Sequence, residues 1–481
     1  MRRRGPTCGC NDVSAAVERR PSLLPIAWAI FYVVAFGSVL FSISWSFGDT
    51  VPLMQKAARL EWREAIVDAF ARGVEYRPLF MLSIKAFLDT FGTPVWLYQS
   101  LVLLQFGAVL SLVVWLCLPL GVHRALAACL AVSVLCALHS TRILFGFWPL
   151  NQHSGVLVLV LLTIALAFRE ETRRFDWTLG VIALAAMFGL ELGLLLAPVI
   201  VILWLSRAPG VGWRGAASVA VAAGLYVAIR LSLGTESGIP ASHNENGFGF
   251  SMITPAQVDA RFGSPPLLLW IYNAGSTLLT VLFSEPRDGV FSFVESWLAR
   301  DMESWRWFHV GLSALTTAIV ALGLIVRSPR SSRDRLLVVL GLALLVFGSG
   351  LGFLYTRDRI ALSAGVGYAL LVYVAATSLM DWRPARHWMR LASRCALIVI
   401  AAGWIIRSGE LLFQLRDTAW DYHLEWTARF SEKGGSTEDR TAVFEALRKE
   451  ALSQVPADPR TDPGWTYVLF ERRFTRSAEA R

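Results

Sequence analysis

Residues 177–206 read WTLGVIALAAMFGLELGLLLAPVIVILWLS. A single helix over this stretch, about 30 residues, would rise about 45 Å, well beyond a hydrocarbon core of about 30 Å. The run is interrupted by Gly189 and Glu191, so it reads as two short membrane spans that meet at Glu191. The rest of the chain is of the same kind. Soluble domains carry about 25% charged residues; this chain of 481 residues has 17%, with 55% apolar and a mean hydropathy of +0.51. That composition excludes a cytosolic enzyme, a disordered tail and a secreted disulfide scaffold. It leaves a polytopic membrane protein.

Apolar runs of span length lie near 22–43, 95–118, 124–141, 153–168, 177–189, 191–206, 214–232, 306–326, 336–355, 360–380 and 395–412. The expected fold class is therefore all-α polytopic, with about eleven transmembrane helices. The first run reads as a retained anchor rather than a signal peptide, because no small-residue cleavage site follows it. With the N-terminus in the cytoplasm, Arg2, Arg3, Arg4, Arg19, Arg20, Arg124, Arg169, Arg173, Arg174, Arg207, Arg214, Arg327, Arg330, Arg333, Arg335, Arg383, Arg386, Arg390 and Arg394 fall inside. Only Arg142, Arg357 and Arg359 fall in short outer loops, so 19 arginines oppose 3 and the orientation follows. The formal charge of +9 belongs to this asymmetry and gives no reason to expect nucleic acid. Residues 266–284 would invert the rule if they crossed. They also carry Asn273, Ser276 and Thr277, so they read as a helix in the outer interface or re-entrant.

The resulting organisation is a cytoplasmic tail (1–21), a transmembrane domain (22–412) and an outer polar tail (413–481), helical around 439–453. The transmembrane domain has two long outer loops, 44–94 and 233–305. The first of these reads as two amphipathic helices, near 51–71 and 79–91, lying on the membrane surface. The preference for Arg over Lys suits a GC-rich bacterium, hence an inner membrane with the C-terminus in the periplasm. Cys117, Cys129, Cys136 and Cys395 read as apolar filler, and the Cys8-x-Cys10 pair lacks companions for a metal site.

The residues that could carry chemistry gather on the outer face. Asp49 follows the first span, where partial desolvation would make a carboxylate a usable base; it also suits a cap for the next helix, with Thr50 and Pro52 as start signals. Arg77, between Tyr76 and Pro78, would present a free guanidinium suited to phosphate, or would snorkel. His139 and Arg142 end one span, and Gln152 begins the next. Glu191 would pair with Arg230 or Arg142. Arg357, Asp358 and Arg359 form a compact outer loop that reads either as an anion site or as a solvated turn. The spans offer few other ionisable groups, Glu191 and Arg230 at most. No metal site is called for and no cofactor is expected, with a divalent metal left open.

In order along the chain these features resemble the GT-C membrane glycosyltransferases. The nearest are the dolichyl-phosphate-mannose-dependent protein O-mannosyltransferases of the transmembrane and tetratricopeptide-repeat type and their bacterial relatives, here without the repeats. Tyr76-Arg77-Pro78-Leu79 looks like the family's YRPL. Phe91-Gly92 through Tyr98-Gln99 looks like its entry to the second span, and Ala137-Leu138-His139-Ser140 with Trp148 like its ALHP…W segment. Leu190-Glu191 with Pro198 looks like SKE…LP, Arg357-Asp358-Arg359 sits where the family has ERY, and Arg416-Asp417 to Trp420 looks like RN…W. The resemblance implies a polyprenyl-phosphate-linked sugar donor, a protein, glycolipid or cell-envelope acceptor, and inversion at the anomeric carbon. It makes Asp49 the base and Arg77, Arg357 and Arg359 the phosphate ligands. Tyr76, His139, Arg142, Gln152, Glu191, Arg230 and Asp358 then play supporting roles. Ser140 stands where the family has Pro, Gln152 where it has Arg, and Leu190 where it has Lys. Those departures keep open a non-catalytic scaffold on the same fold. A transporter or flippase of lipid-linked sugars is the other alternative.

Overall fold

The computed structural model describes residues 22–43, 45, 50–71, 76–118, 121–144, 152–169, 176–233, 247–248, 251–283, 289–326, 331–354, 361–384, 386–431, 445–446 and 449. Of these it gives the backbone alone at 50–52, 142–144, 233, 247–248, 251–252, 255, 289–292 and 417–431. Among them the regular structure is helical, apart from a short antiparallel hairpin pairing Gly247–Phe248 with Ser251–Met252. The helices are α1 (Leu24–Leu40), α2 (Thr50–Arg59), α3 (Trp62–Ala71), α4 (Pro78–Phe91), α5 (Val95–Leu116), α6 (Val122–Ala137) and α7 (Gln152–Ala167). They continue with α8 (Asp176–Gly189), α9 (Leu196–Leu205), α10 (Trp213–Leu233), α11 (Pro255–Phe262), α12 (Leu267–Phe283) and α13 (Gly289–Leu298). The last four are α14 (Ser304–Val326), α15 (Ser332–Gly350), α16 (Leu362–Met380) and α17 (His387–Ser431).

Each of the eleven apolar runs falls on a helix, but they differ in reach. Among the described residues, five helices are long and apolar enough to cross a membrane: α5, α10, α14, α16 and the first 30 residues of α17. A bent pair, α11 and α12 at 95°, would add a sixth. Helices α1, α6, α7, α8 and the segment Glu191–Leu205 are apolar but only 10–17 residues long. Helix α15 carries Arg333, Asp334 and Arg335 in its first turn, which leaves a shorter apolar stretch. Length and hydropathy therefore support five or six crossings, and the expected eleven goes beyond what they show.

Inter-helix bonds separate the two ends of the bundle. At the Arg-rich end, Arg124 pairs with Asp334 at 2.8 Å and Arg333 donates to the carbonyls of Trp115 and Leu116, while Gly210 N–H reaches Ala167. At the opposite end Arg77 and Arg230 meet Glu191. Between the ends, Trp28 donates to Ser133 and Tyr32 bonds Ser408. Side chains on the outer helix faces remain apolar and exposed, among them Ile30 and Val34 on α1, Val221 and Leu231 on α10, and Ile398 and Ile406 on α17. Contiguous apolar surface of this kind needs an apolar solvent.

The centre of the bundle is α16, buried along its whole length. Small residues let its neighbours close on it. An added Cβ at Gly367 would lie 2.5 Å from the Gly341 carbonyl oxygen of α15, and one at Gly323 of α14 would lie 2.8 Å from Ala375. Close backbone approach over Gly and Ala is how helices associate when lipid is as apolar as leucine.

Two elements differ from expectation, and a third keeps one of its expected readings. The surface segment read as one helix over 51–71 is broken at Leu60–Glu61 into α2 and α3. With α4 and the start of α5, α2 buries Trp45, Met54, Ile84 and Tyr98 in a small core of their own. Helix α12, expected in the interface or re-entrant, turns 95° from α11, as a broken span or a re-entrant segment would, and packs against α14, α15 and α16 through a buried polar face, with Asn273 donating to Phe353 and Leu354 carbonyls and Thr317 donating to Leu282. Helix α17 passes the expected boundary at 412 unbroken; its 45 residues rise about 67 Å, twice a hydrocarbon core.

Packing around α16 is testable with glycine substitutions. Gly367→Ala should lower stability by about 1–3 kcal/mol, since the new methyl meets backbone rather than a movable side chain. Gly224→Ala, with no atom within 4 Å of the new methyl, should leave it unchanged or raise it slightly. Thermal unfolding of the detergent-solubilised variants measures both, and equal midpoints would contradict the packing.

Candidate functional site

The most distinctive polar feature at the end away from the arginine-rich loops is built from three distant segments. The first is Tyr76–Pro78. Pro78 occupies the first turn of α4, where its missing N–H costs nothing, and it forces the preceding residue out of the helical region. Arg77 accordingly has φ −131° and ψ 59°. The second is the break in the 177–206 run, which falls where the sequence places it. Helix α8 stops at Gly189, Leu190 is extended, and Glu191 opens a 3-10 turn, Glu191–Leu195, that leads into α9. Gly193 is required there, because a Cβ would collide with the backbone of Ala186 and Met187. The third segment is the C-terminal end of α10, with Arg230 in its last turn and Tyr226 one turn earlier.

Glu191 receives one arginine on each oxygen. Arg77 Nε donates to Oε2 at 3.1 Å, and Arg230 Nη1 donates to Oε1 at 2.9 Å. The same Arg230 Nη1 donates to the Tyr226 hydroxyl at 3.1 Å, and that hydroxyl lies 3.5 Å from the Tyr76 carbonyl oxygen. The Tyr76 ring packs against Phe70, Phe188 and Tyr226, with centroids 6.3, 5.9 and 6.0 Å away, and burial pushes its phenol pKa up. The three charged side chains keep 26%, 27% and 18% of their surface exposed for Arg77, Glu191 and Arg230. They are thus partly desolvated but reachable.

Four of the residues singled out from sequence meet here: Tyr76, Arg77, Glu191 and Arg230. The expected pairing of Glu191 with Arg230 is present. The guanidinium of Arg77, read as free, is instead engaged by Glu191. Asp49, Arg357, Asp358 and Arg359 lie outside the described residues. Arg142 lies in the 3-10 turn His139–Leu144, described by its backbone alone. Gln152 opens α7 and is buried, with no hydrogen-bond partner for Oε1 among the described residues.

His139 belongs to a second cluster. Its ring lies 6.0 Å from that of His309 on α14, whose Nε2 is 2.5 Å from Glu410 Oε2 on α17. Gln414 donates to the other Glu410 oxygen, and Arg407, stacked over Trp404, donates to Ser313 at 3.1 Å. His309, Arg407 and Glu410 are 1%, 2% and 8% exposed. This overturns the expectation that Glu191 and Arg230 are the main ionisable groups in the spans. The missed signal was Arg407 and Glu410, three residues apart inside the apolar run 395–412, a spacing that puts both on one helix face. Among the described residues no group of three or more His, Cys, Asp or Glu side chains could hold a metal ion.

The two-armed carboxylate predicts strong coupling. In a double-mutant cycle of Glu191→Gln with Arg230→Gln, the interaction energy should be about 1–3 kcal/mol. Unfolding of the four proteins in mixed micelles measures it, and a value within about 0.3 kcal/mol of zero would show that the pair is not coupled.

No protein-family model matches this chain, and no curated protein matches it.

Proposed function

We propose that this chain is an integral-membrane glycosyltransferase of the GT-C kind. It moves a sugar from a polyprenyl-phosphate donor to an acceptor hydroxyl on the outer, periplasmic side of a bacterial inner membrane, with about eleven crossings and the N-terminus inside. One observation supports this reading above the others: Tyr76–Leu79 and Leu190–Glu191, two of the stretches that carry the resemblance, supply side chains to one cluster although 114 residues separate Arg77 from Glu191. The cluster lies at the end of the bundle opposite the Arg-rich loops, the side on which a membrane-presented donor and an exported acceptor would meet.

In this reading Asp49 takes the proton of the acceptor hydroxyl as the oxygen attacks the anomeric carbon. The bond from that carbon to the phosphate oxygen breaks with inversion. The electron pair leaves on the polyprenyl phosphate, whose charge is met by Arg77, Arg357 and Arg359. Cations held in place before the charge develops stabilise the transition state without reorganisation. Glu191 serves this by fixing two guanidinium planes at once.

A reconstituted transfer assay with radiolabelled polyprenyl-phosphate sugars and membrane acceptors tests the proposal. Asp49→Asn should lower transfer by about 100-fold or more while leaving donor binding intact. Equal transfer by both proteins would remove Asp49 as the base, and no transfer by the wild type from any donor would remove the proposal.

The buried His309–Glu410 pair favours a second reading, a transporter of lipid-linked sugars, because ionisable pairs inside spans mark proton-coupled pathways. In proteoliposomes Glu410→Gln would then abolish the dependence of lipid-linked sugar movement on a pH gradient. The glycosyltransferase reading expects no such dependence in the wild type.

A further inference from the structure

Arg230 stands apart from its partner arginine in how it is used. Both of its bonds among the described residues, to Glu191 and to Tyr226, leave through the single nitrogen Nη1. The Nη2 and Nε edge of the guanidinium carries none, and the side chain is 18% exposed. Helix α10 is peripheral, and the residues around Arg230 on it, Val227 and Leu231, are 41% and 56% exposed. The guanidinium therefore sits where an apolar, lipid-facing surface meets a partly desolvated charge cluster. A fork of parallel N–H donors at such a boundary matches the oxygens of a phosphate group on an apolar tail. Glu191 and Tyr226 hold the fork from behind, so its outer edge is presented without further ordering.

We infer that Arg230 is a phosphate ligand for an anionic lipid, its outer guanidinium edge binding the headgroup while the tail runs along the exposed apolar face of α10. This deepens the proposed function, on which its biological role rests, by adding a phosphate contact on α10 to those expected of Arg77, Arg357 and Arg359. The Tyr226 hydroxyl is a positioning group, since it touches Arg230 and not the lipid.

The test is equilibrium binding of a radiolabelled polyprenyl monophosphate to the purified full chain in nanodiscs. Unlabelled polyprenol, phosphatidic acid and inorganic phosphate serve as competitors. Arg230→Gln should weaken binding roughly tenfold or more, the loss of a charge-assisted pair of bonds. Arg230→Lys should recover part of that, because it keeps the charge and loses the fork. Tyr226→Phe should weaken binding less than Arg230→Gln. Arg214→Gln, the same charge change at the other end of α10, should have no effect. Thermal unfolding confirms that each variant is folded; if Arg230→Gln is not, the Lys and Phe variants carry the test.

Binding by a folded Arg230→Gln protein equal to wild type overturns the inference, as does displacement by polyprenol as effective as by the phosphate. Displacement by inorganic phosphate at the same concentration makes this a free-anion site and removes the lipid. Displacement by phosphatidic acid supports a lipid phosphate and shows that the tail is not selected. Binding that depends on Arg230 without sugar transfer from any donor upholds the inference and removes the proposed function. Transfer that is normal in Arg230→Gln upholds the function and removes the inference.

Discussion

Hydrocarbon offers a backbone amide no water, so every peptide group at membrane depth must find its partner within its own helix or in packed protein. The architecture here follows from that constraint. Where an apolar run is longer than the bilayer it must stop, and the stop frees N–H and carbonyl groups that need other partners. The run 177–206 stops at Leu190, with Leu190 and Gly193 bonding back to Ala186 and Leu190 through their N–H groups. A carboxylate is favoured at the opening of the next turn, because the unpaired N–H groups there carry partial positive charge. Glu191 occupies that position, and two arginines complete its neutralisation. The charge cluster is thus a consequence of where the backbone has to break.

The same constraint explains why small residues occupy the middle of the bundle. With no water to expel between helices in lipid, association depends on contact and on close backbone approach. Gly341, Gly367 and Gly323 allow α14 and α15 to close on α16, and the buried hydroxyls of Thr316 and Thr377 are bonded within their own helices, to the carbonyls of Leu312 and Tyr373. A core closed this way holds the loops at its ends in register. Side chains as far apart in sequence as Arg77, Glu191 and Arg230 can then meet to within hydrogen-bonding distance.

Much of this could be read in the residues alone, and what could not has identifiable physical causes. Hydropathy located all eleven apolar runs because apolar length is a local property. It does not by itself fix how many of them cross, because helices such as α6 and α7 are apolar but only 16 residues long. The run 395–412 does fall in a helix long and apolar enough to cross a membrane, but averaging over it hid Arg407 and Glu410, whose spacing is the informative quantity. The boundary at 413 followed a change from apolar to polar composition. That change ends a membrane span but not a helix, and no Gly or Pro interrupts the chain between Leu412 and Ser431. The pairing of Glu191 with Arg230 was legible because an ionisable residue deep in an apolar run demands a partner. The engagement of Arg77 was not, because nothing local to Tyr76–Leu79 reports a carboxylate 114 residues away.

The two charged clusters at this end of the bundle differ in the property that decides what each can do. Arg77, Glu191 and Arg230 retain about a fifth to a quarter of their side-chain surface, so a headgroup can approach without the helices moving. His309, Arg407 and Glu410 are closed in between α14 and α17, with Trp305 against the imidazole and Trp404 against the guanidinium. A bulky ligand would have to part the two helices to reach them, whereas a proton would not. Burying ions is costly unless each is paired and bonded, and breaking one member of such a pair costs more than replacing the whole set. The closed cluster is therefore suited to tying α17 to α14 and to sensing protonation, and the open one to holding a phosphate. His139 extends the closed cluster towards the 3-10 turn that leads out of α6, its ring facing that of His309.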